Sequence, residues 1–231
     1  MAESSIFQRI RSRVAPGPTV LVVGLGRFGS SLALTLEDLG HDVIAIDFDP
    51  ALVAEYRDLL SETIEADATS SEALRQVGAT EVHHAIVAIG AHMEASILAT
   101  SALVDLGVPD VWAKALSEAH GRILERVGAH HVVLPEAEMG RRVAHLVTGQ
   151  ALDYMEVDDG FALVETTAPK EMVGRTIGDA EIRGRYNVTV VCVKPPGGAF
   201  TYATAEQLID PDAILIVAGS TRDVDRFAEL A

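Results

Sequence analysis

Three glycines, Gly24, Gly26 and Gly29, stand at the spacing G-x-G-x-x-G directly after the apolar run Val20-Leu21-Val22-Val23. That arrangement can hold a pyrophosphate. The first glycine permits a tight turn, the second lets backbone approach phosphate, and the third lets a helix pack close to a strand. The free amides of the first helical turn then face the anion. Asp47 ends a second apolar run, Val43-Ile44-Ala45-Ile46. A carboxylate there reaches the ribose hydroxyls of an adenine nucleotide and repels a 2′-phosphate, which disfavours NADP. Arg27 and Phe28 fill variable positions of the loop. The Arg27 guanidinium can fork two phosphoryl oxygens, which suits a ligand as dense in charge as ADP or ATP.

Further chemistry-bearing residues fall at the predicted carboxyl ends of other strands. Asp67, before Ala68, either accepts from an adenine amine or caps the helix beginning near Ser70. Ile89-Gly90 lies where the chain passes close to ribose or base, and glycine supplies the room. His92 either lines the ligand edge or caps the next helix. Lys114 ends the run Val111-Trp112-Ala113, where an amine faces phosphates. Glu136 opens a helix after Pro135. There it favours the helix dipole, or, beside a triphosphate, holds a divalent cation such as Mg or Ca between carboxylate and phosphate. The adjacent pairs His83-His84 and His130-His131 point to opposite faces of their strands, so no zinc site is expected. Neither a nucleophile elbow nor a triad is legible. The expectation is a binding protein with no catalytic residue, not an enzyme.

These residues need elements to hold them. Strands are predicted at 19–23, 42–47, 62–66, 84–89, 111–114 and 131–134. Helices at 26–39, 70–77, 93–106, 117–127 and 136–149 follow or separate them, and Pro50 opens another, capped by Asp49. Gly40, Gly78, Gly107 and Gly128 close four of the helices. A helix after nearly every strand implies a parallel sheet covered on both faces. The fold class is therefore α/β: a Rossmann-like parallel sheet domain followed by a small α+β C-terminal domain. Residues 1–18 form an N-terminal leader, 19–149 the nucleotide-binding domain with its long final helix, and 150–231 the C-terminal domain. In the latter, strands are expected at 161–167, 188–193, 200–202 and 213–218, with Ser220 capping a terminal helix.

Composition excludes several classes. A net charge of −16 argues against nucleic acid and anionic lipid as partners. With 48% hydrophobic residues, the chain has enough apolar surface to fold rather than stay disordered. Apolar runs are too short to cross a bilayer. The leader has Arg9, Arg11 and Arg13 without the apolar segment of a secretory signal, so a cytoplasmic location is expected. The single Cys192 makes no internal disulfide and reads as a small core residue.

At Gly24-Leu25-Gly26-Arg27-Phe28-Gly29, with Asp47, Ile86-Val87-Ala88-Ile89-Gly90 and Val111-Trp112-Ala113-Lys114-Ala115, the chain closely resembles the regulatory subunits of Ktr/Trk-type potassium uptake systems, which are built from RCK domains. Ile123-Leu124-Glu125-Arg126-Val127-Gly128-Ala129, Leu134-Pro135-Glu136, Gly174-Arg175-Thr176-Ile177 and Arg183-Gly184-Arg185-Tyr186 extend the likeness over residues 19–229. The resemblance implies adenine-nucleotide binding without net chemistry. It also implies a homodimer assembling into a homo-octameric ring on the cytoplasmic face of a membrane potassium-translocating subunit, gated by ATP and ADP. By motif match, Arg27 and Lys114 approach phosphates, Asp47 holds ribose, and Glu136 sits beside phosphates and a divalent cation. The helix 136–149 packs against the neighbouring subunit. In some relatives the C-terminal domain binds cyclic di-AMP, for which Arg183, Tyr186, Asn187 and Val188 are the candidate surface. The alternative there is that Asn187 forms a turn and Arg183 pairs with surface acids. The rival to the whole reading is an NAD(H)-binding redox sensor or NAD-dependent oxidoreductase, which the glycines and Asp47 fit equally.

Overall fold

The computed structural model describes residues 17–148 and 151–231. Arg9, Arg11 and Arg13 of the predicted leader, and Gly149 at the end of the predicted long helix, lie outside them. The chain divides into two compact units between Glu136 and Ala137.

The first unit alternates strand and helix: β1 (Gly17–Val23), α1 (Arg27–Asp38), β2 (His41–Asp47), α2 (Pro50–Tyr56), β3 (Glu62–Glu65), α3 (Ser71–Gln76), β4 (His84–Val87), α4 (Met93–Asp105), β5 (Asp110–Lys114), α5 (Glu118–Arg126) and β6 (His131–Val133). The strands pair in parallel in the order β3-β2-β1-β4-β5-β6. Central β1 is apolar on both faces because helices cover both. Leu21 and Val23 enter one core cluster, while Val20 and Val22 enter another. The helix ends are set locally. Asp49 accepts from the Ala51 amide at 2.9 Å ahead of Pro50, and Ser70 and Ser117 cap α3 and α5. Strand order reverses between β1 and β4, which opens a crevice at their carboxyl ends.

The second unit takes most of α6 (Pro135–Val147), then β7 (Asp153–Asp158), β8 (Phe161–Thr167), a 3₁₀ turn at Lys170–Met172, α7 (Ile182–Tyr186), β9 (Thr189–Lys194), β10 (Thr201–Tyr202), β11 (Ile214–Ser220) and α8 (Thr221–Ala228). Its antiparallel sheet runs β10-β9-β11-β8-β7. Val164, Leu215, Val217, Val224 and Phe227 fill the core beneath. Ser220 caps α8 by accepting from the Asp223 amide at 3.2 Å. No α6 side chain is buried. Polar contacts hold the helix: Arg142 forks Asp153 with two 2.7 Å bonds, and His145 stacks on Tyr154 at 3.7 Å.

Two expectations need correction. Cys192 is half-buried rather than a core residue, because the pleat turns its neighbour Val193 inward. The run up to Glu156, which reads as an extended segment after the long helix, forms β7, whereas α7 is an element that the sequence reading did not resolve. Outer-face residues of β7 alternate only weakly with Tyr154, and α7 is a single turn, too short for helical periodicity to register.

Candidate functional site

The crevice above β1 and β4 begins with the glycine turn. Gly24 has φ +99°, and its amide donates to the Ile46 carbonyl at 2.7 Å. A β-carbon at Gly29 would stand 1.9 Å from the Gly24 carbonyl oxygen and 2.9 Å from Ala88 Cβ, so only glycine lets α1 start this close to the sheet. Gly26 differs. Its φ is −61°, and a β-carbon there would meet nothing within 4 Å, toward solvent. No side chain caps α1, so its first-turn amides are free to bind an anion.

Asp47 is 8% exposed. Its Oδ2 accepts from the Leu25 amide at 2.6 Å and its Oδ1 from the Asp49 amide at 2.9 Å. A carboxylate offers about four lone-pair sites, so each oxygen keeps capacity for a hydroxyl donor.

Across the crevice, Lys114 is 7% exposed. Its ammonium donates to Glu136 Oε1 at 2.6 Å and lies 5.5 Å from the centre of the Phe28 ring. A β-carbon at Gly90 would come 3.2 Å from Nζ, so Gly90 provides the space the amine occupies. The Glu136 carboxyl is held below its ordinary range. The Lys114 bond is the largest cause, followed by its own backbone amide, with the charges of Lys114 and Arg27 adding. Arg27 is exposed in the first turn of α1. The fold thus brings Arg27, Phe28, Gly90, Lys114 and Glu136 together.

Other expected site residues are placed differently. Asp67 Oδ1 accepts from the Thr69 amide at 2.9 Å and its hydroxyl at 2.7 Å, closing a local turn that lowers its pKa. Ser70, not Asp67, caps α3, through the Ala73 amide at 3.3 Å, so the capping alternative for Asp67 is corrected. The Ala68 methyl belongs to the core, and Ile89 packs partly against it. His92 occupies the N-cap position of α4 without a capping bond from its side chain. Its ring instead meets that of the exposed Phe48 edge-on at 6.2 Å. A cleft of about 530 Å³ opens along Thr69, Ala91, His92 and Met93.

One cluster was not legible in the sequence. At the amino ends of β4, β5 and β6, Asp110 receives Trp112 Nε1 at 3.0 Å, lies 2.8 Å from His84 Nδ1 and 3.3 Å from His131 Nε2, while His131 stacks on Trp112. The parallel register supplies the missing signal, since His84 pairs Asp110 and Trp112 pairs His131. Among the described residues, no group of three or more His, Cys, Asp or Glu side chains is placed to hold a metal ion.

In the second unit a cleft of about 670 Å³ is lined by Arg183, Arg185, Val188, Thr189 and Thr204 among others. Arg183 Nε donates to the Thr189 hydroxyl at 3.1 Å, so the expected pairing with a surface acid is replaced by a neutral partner. The Tyr186 hydroxyl donates to Glu171. Asn187 forms the turn, at φ +60°, and its amide donates to Asp223 at 2.8 Å. Arg183 and Val188 therefore line this cleft, while Tyr186 and Asn187 do not.

Residues 20–135 match the TrkA-N domain and residues 161–231 the TrkA-C domain. The chain belongs to the TrkA-N/TrkA-C family. Over 207 residues it is 38% identical to the Ktr system potassium uptake protein C of Bacillus subtilis (strain 168), covering 89% of this chain and 94% of that protein. Against the Ktr system potassium uptake protein A of the same organism it is 32% identical, covering 89% and 93%. Among solved structures, the GsuK RCK domain superposes with a TM-score of 0.64 at 18% identity, over 96% of this chain and 51% of that one. The TrkA-N/TrkA-C chain thus spans about half of that GsuK chain. The GsuK channel bound to NAD gives a TM-score of 0.52 at 22% identity (94% and 39%), and GsuK bound to ADP gives 0.51 at 25% (58% and 34%). The TrkA-N/TrkA-C protein is thus homologous to proteins named for potassium uptake and has the fold of an RCK domain.

Proposed function

We propose that this protein is a cytoplasmic nucleotide-sensing subunit of a potassium-uptake system. It binds ATP or ADP in the crevice above β1 and β4, performs no chemistry, and passes the number of phosphates to a membrane potassium-translocating partner. The observation that carries this is the convergence of Arg27, Lys114 and Glu136 beside the uncapped start of α1. Adenosine is recognised at the Asp47 side, whereas nucleotides that differ in phosphate number differ where these three charges lie. A ligand shifts an assembly only through unequal affinity for its shapes, so the discriminating contacts must lie at the phosphate end.

The names of the relatives support potassium uptake as the context. In this reading ion passage falls to the partner; no helix among the described residues is long and apolar enough to cross a membrane. Assembly as a homodimer, and then as a homo-octameric ring, rests on the resemblance. A lone carboxylate already paired to an ammonium does not by itself hold a Mg or Ca ion. A cation at Glu136 would need phosphate oxygens and donors from a second copy. For cyclic di-AMP, the cleft containing Arg183 and Val188 supports the second unit as the place of binding.

A second reading, NAD(H) sensing, is favoured by the glycine turn with Asp47, which reads the adenosine diphosphate half common to ADP and NAD. GsuK is described with each of the two. Calorimetry with ATP, ADP, adenosine and NADH decides. ATP and ADP are expected to bind more tightly than NADH. Arg27→Ala should weaken ATP about tenfold, near 1.4 kcal/mol, and adenosine hardly at all. Tighter NADH binding, or equal losses for all ligands, would transfer the assignment to the second reading.

A further inference from the structure

Where β5 ends, a side chain takes over from the sheet. The Ala115 amide still has a ladder partner, the Val133 carbonyl, at 2.8 Å. The next amide, that of Leu116, donates instead to Nδ1 of His120 at 3.2 Å. In return the His120 amide donates to the Ser117 hydroxyl oxygen at 3.2 Å, which caps α5. Ser117-Glu118-Ala119-His120 thus stands where a capping box places Ser-x-x-Glu, with an imidazole as acceptor and its bond moved one residue back, to Leu116. His120 is fully buried. A glutamate would bury a charge there, whereas a neutral imidazole accepts the same amide without one. Burial lowers the pKa of the ring and so keeps it neutral at neutral pH.

We propose that His120 is a positioning residue for the phosphate end of the crevice: it touches no ligand, but fixes the segment that carries Lys114. This rests on the nucleotide-sensing reading and names what sets that site in advance of binding. Lys114 ends β5 just ahead of the held Leu116 amide. The Leu116 side chain comes within 3.9 Å of a β-carbon at Gly90, the glycine that makes room for the Lys114 amine. A β-carbon at Gly121, the residue after His120, would lie 3.3 Å from Val132 and 3.6 Å from Ala115 Cβ, so the start of α5 seats directly against the end of β5. With the imidazole bond in place, residues 114–117 are ordered before a phosphate arrives. Without it, binding a phosphate must order the segment at that moment, at a loss of affinity. Adenosine, recognised at the Asp47 side, does not call on this segment. His120 therefore contributes to the preference for phosphorylated over unphosphorylated ligands without contacting either.

The test is calorimetry of the full chain with ADP and with adenosine at neutral pH. His120→Leu fills the site without an acceptor. It is expected to weaken ADP by about three- to tenfold, the cost of ordering one short segment, and to change adenosine by less than about twofold. His120→Asn, whose side-chain oxygen falls near the position of Nδ1, should recover most of the loss. Hydrogen exchange at the Leu116 amide should quicken in the first variant and return toward the unaltered rate in the second. His120→Gln, whose polar atoms fall near Nε2 instead, takes the place of His120→Leu if that chain does not fold. Unchanged ADP binding overturns the proposal. So do equal losses for both ligands, which would mean a general effect on the fold, and a loss that His120→Asn leaves in place. If the unaltered protein binds neither ADP nor adenosine, the nucleotide-sensing reading itself fails, an outcome distinct from binding that ignores His120.

Discussion

Asp47 Oδ2 stands 2.6 Å from the amide nitrogen of Leu25, so the acid that ends β2 holds the glycine turn that follows β1. Its other oxygen accepts from Asp49. The residue expected to hold ribose is thus also a brace for the phosphate loop, before any ligand arrives. Asp47→Asn keeps one acceptor and turns an amide donor toward a backbone N–H. We expect a loss of about 1–3 kcal/mol in the ligand-free protein, measured by urea unfolding, with faster hydrogen exchange at Leu25. Unchanged stability would mean that the bond adds nothing to the fold.

The three glycines of the turn should separate by experiment. Gly29→Ala drives a methyl group into the Gly24 carbonyl, a backbone atom that cannot yield. A loss of at least about 3 kcal/mol, or failure to fold, is expected. Gly26→Ala adds a methyl group toward open space at an ordinary φ, and stability should change by less than about 1 kcal/mol. Thermal melting of both variants checks the pair. Equal effects would refute the division of labour.

His120 predicts a pH dependence. The ring is fully buried, Nδ1 accepts from the Leu116 amide at 3.2 Å, and Nε2 has no partner among the described residues. Burial lowers its pKa from the ordinary 6.5. The unfolded chain therefore takes up a proton first as pH falls below 6.5, and the folded state loses stability until its own pKa is passed. Stability should decline from pH 7 toward 5. In His120→Asn, which retains an acceptor for Leu116, that part of the slope should vanish in unfolding curves recorded across the range. An unaltered slope would assign the dependence to other groups.

Ser220 offers a local test of the second unit. Its hydroxyl oxygen accepts from the Asp223 amide at the start of α8, and its hydroxyl donates to the Asp223 carboxylate at 2.7 Å. Ser220→Ala should lower stability by about 1 kcal/mol. Ser220→Asp should recover less than an ordinary cap, because it sets a second carboxylate against Asp223. Differential scanning calorimetry would show both.

Much of the fold is local, and that is the part the chain declared in one dimension. The glycine spacing, the Asp49-Pro50 cap and the left-handed glycines that close helices depend on neighbours a few residues away, so residue type alone determined them. The alternation of strand and helix then left few arrangements other than a covered parallel sheet. What only the tertiary structure decided was which distant side chains meet. Asp47 reaches Leu25 and Lys114 reaches Glu136 across 22 residues each. Asp110 gathers His84 and His131 from flanking strands. Those encounters follow from the strand order β3-β2-β1-β4-β5-β6 and its register. Short-range preferences do not encode either, because order and register arise from burying both sheet faces at once, a property of the whole core.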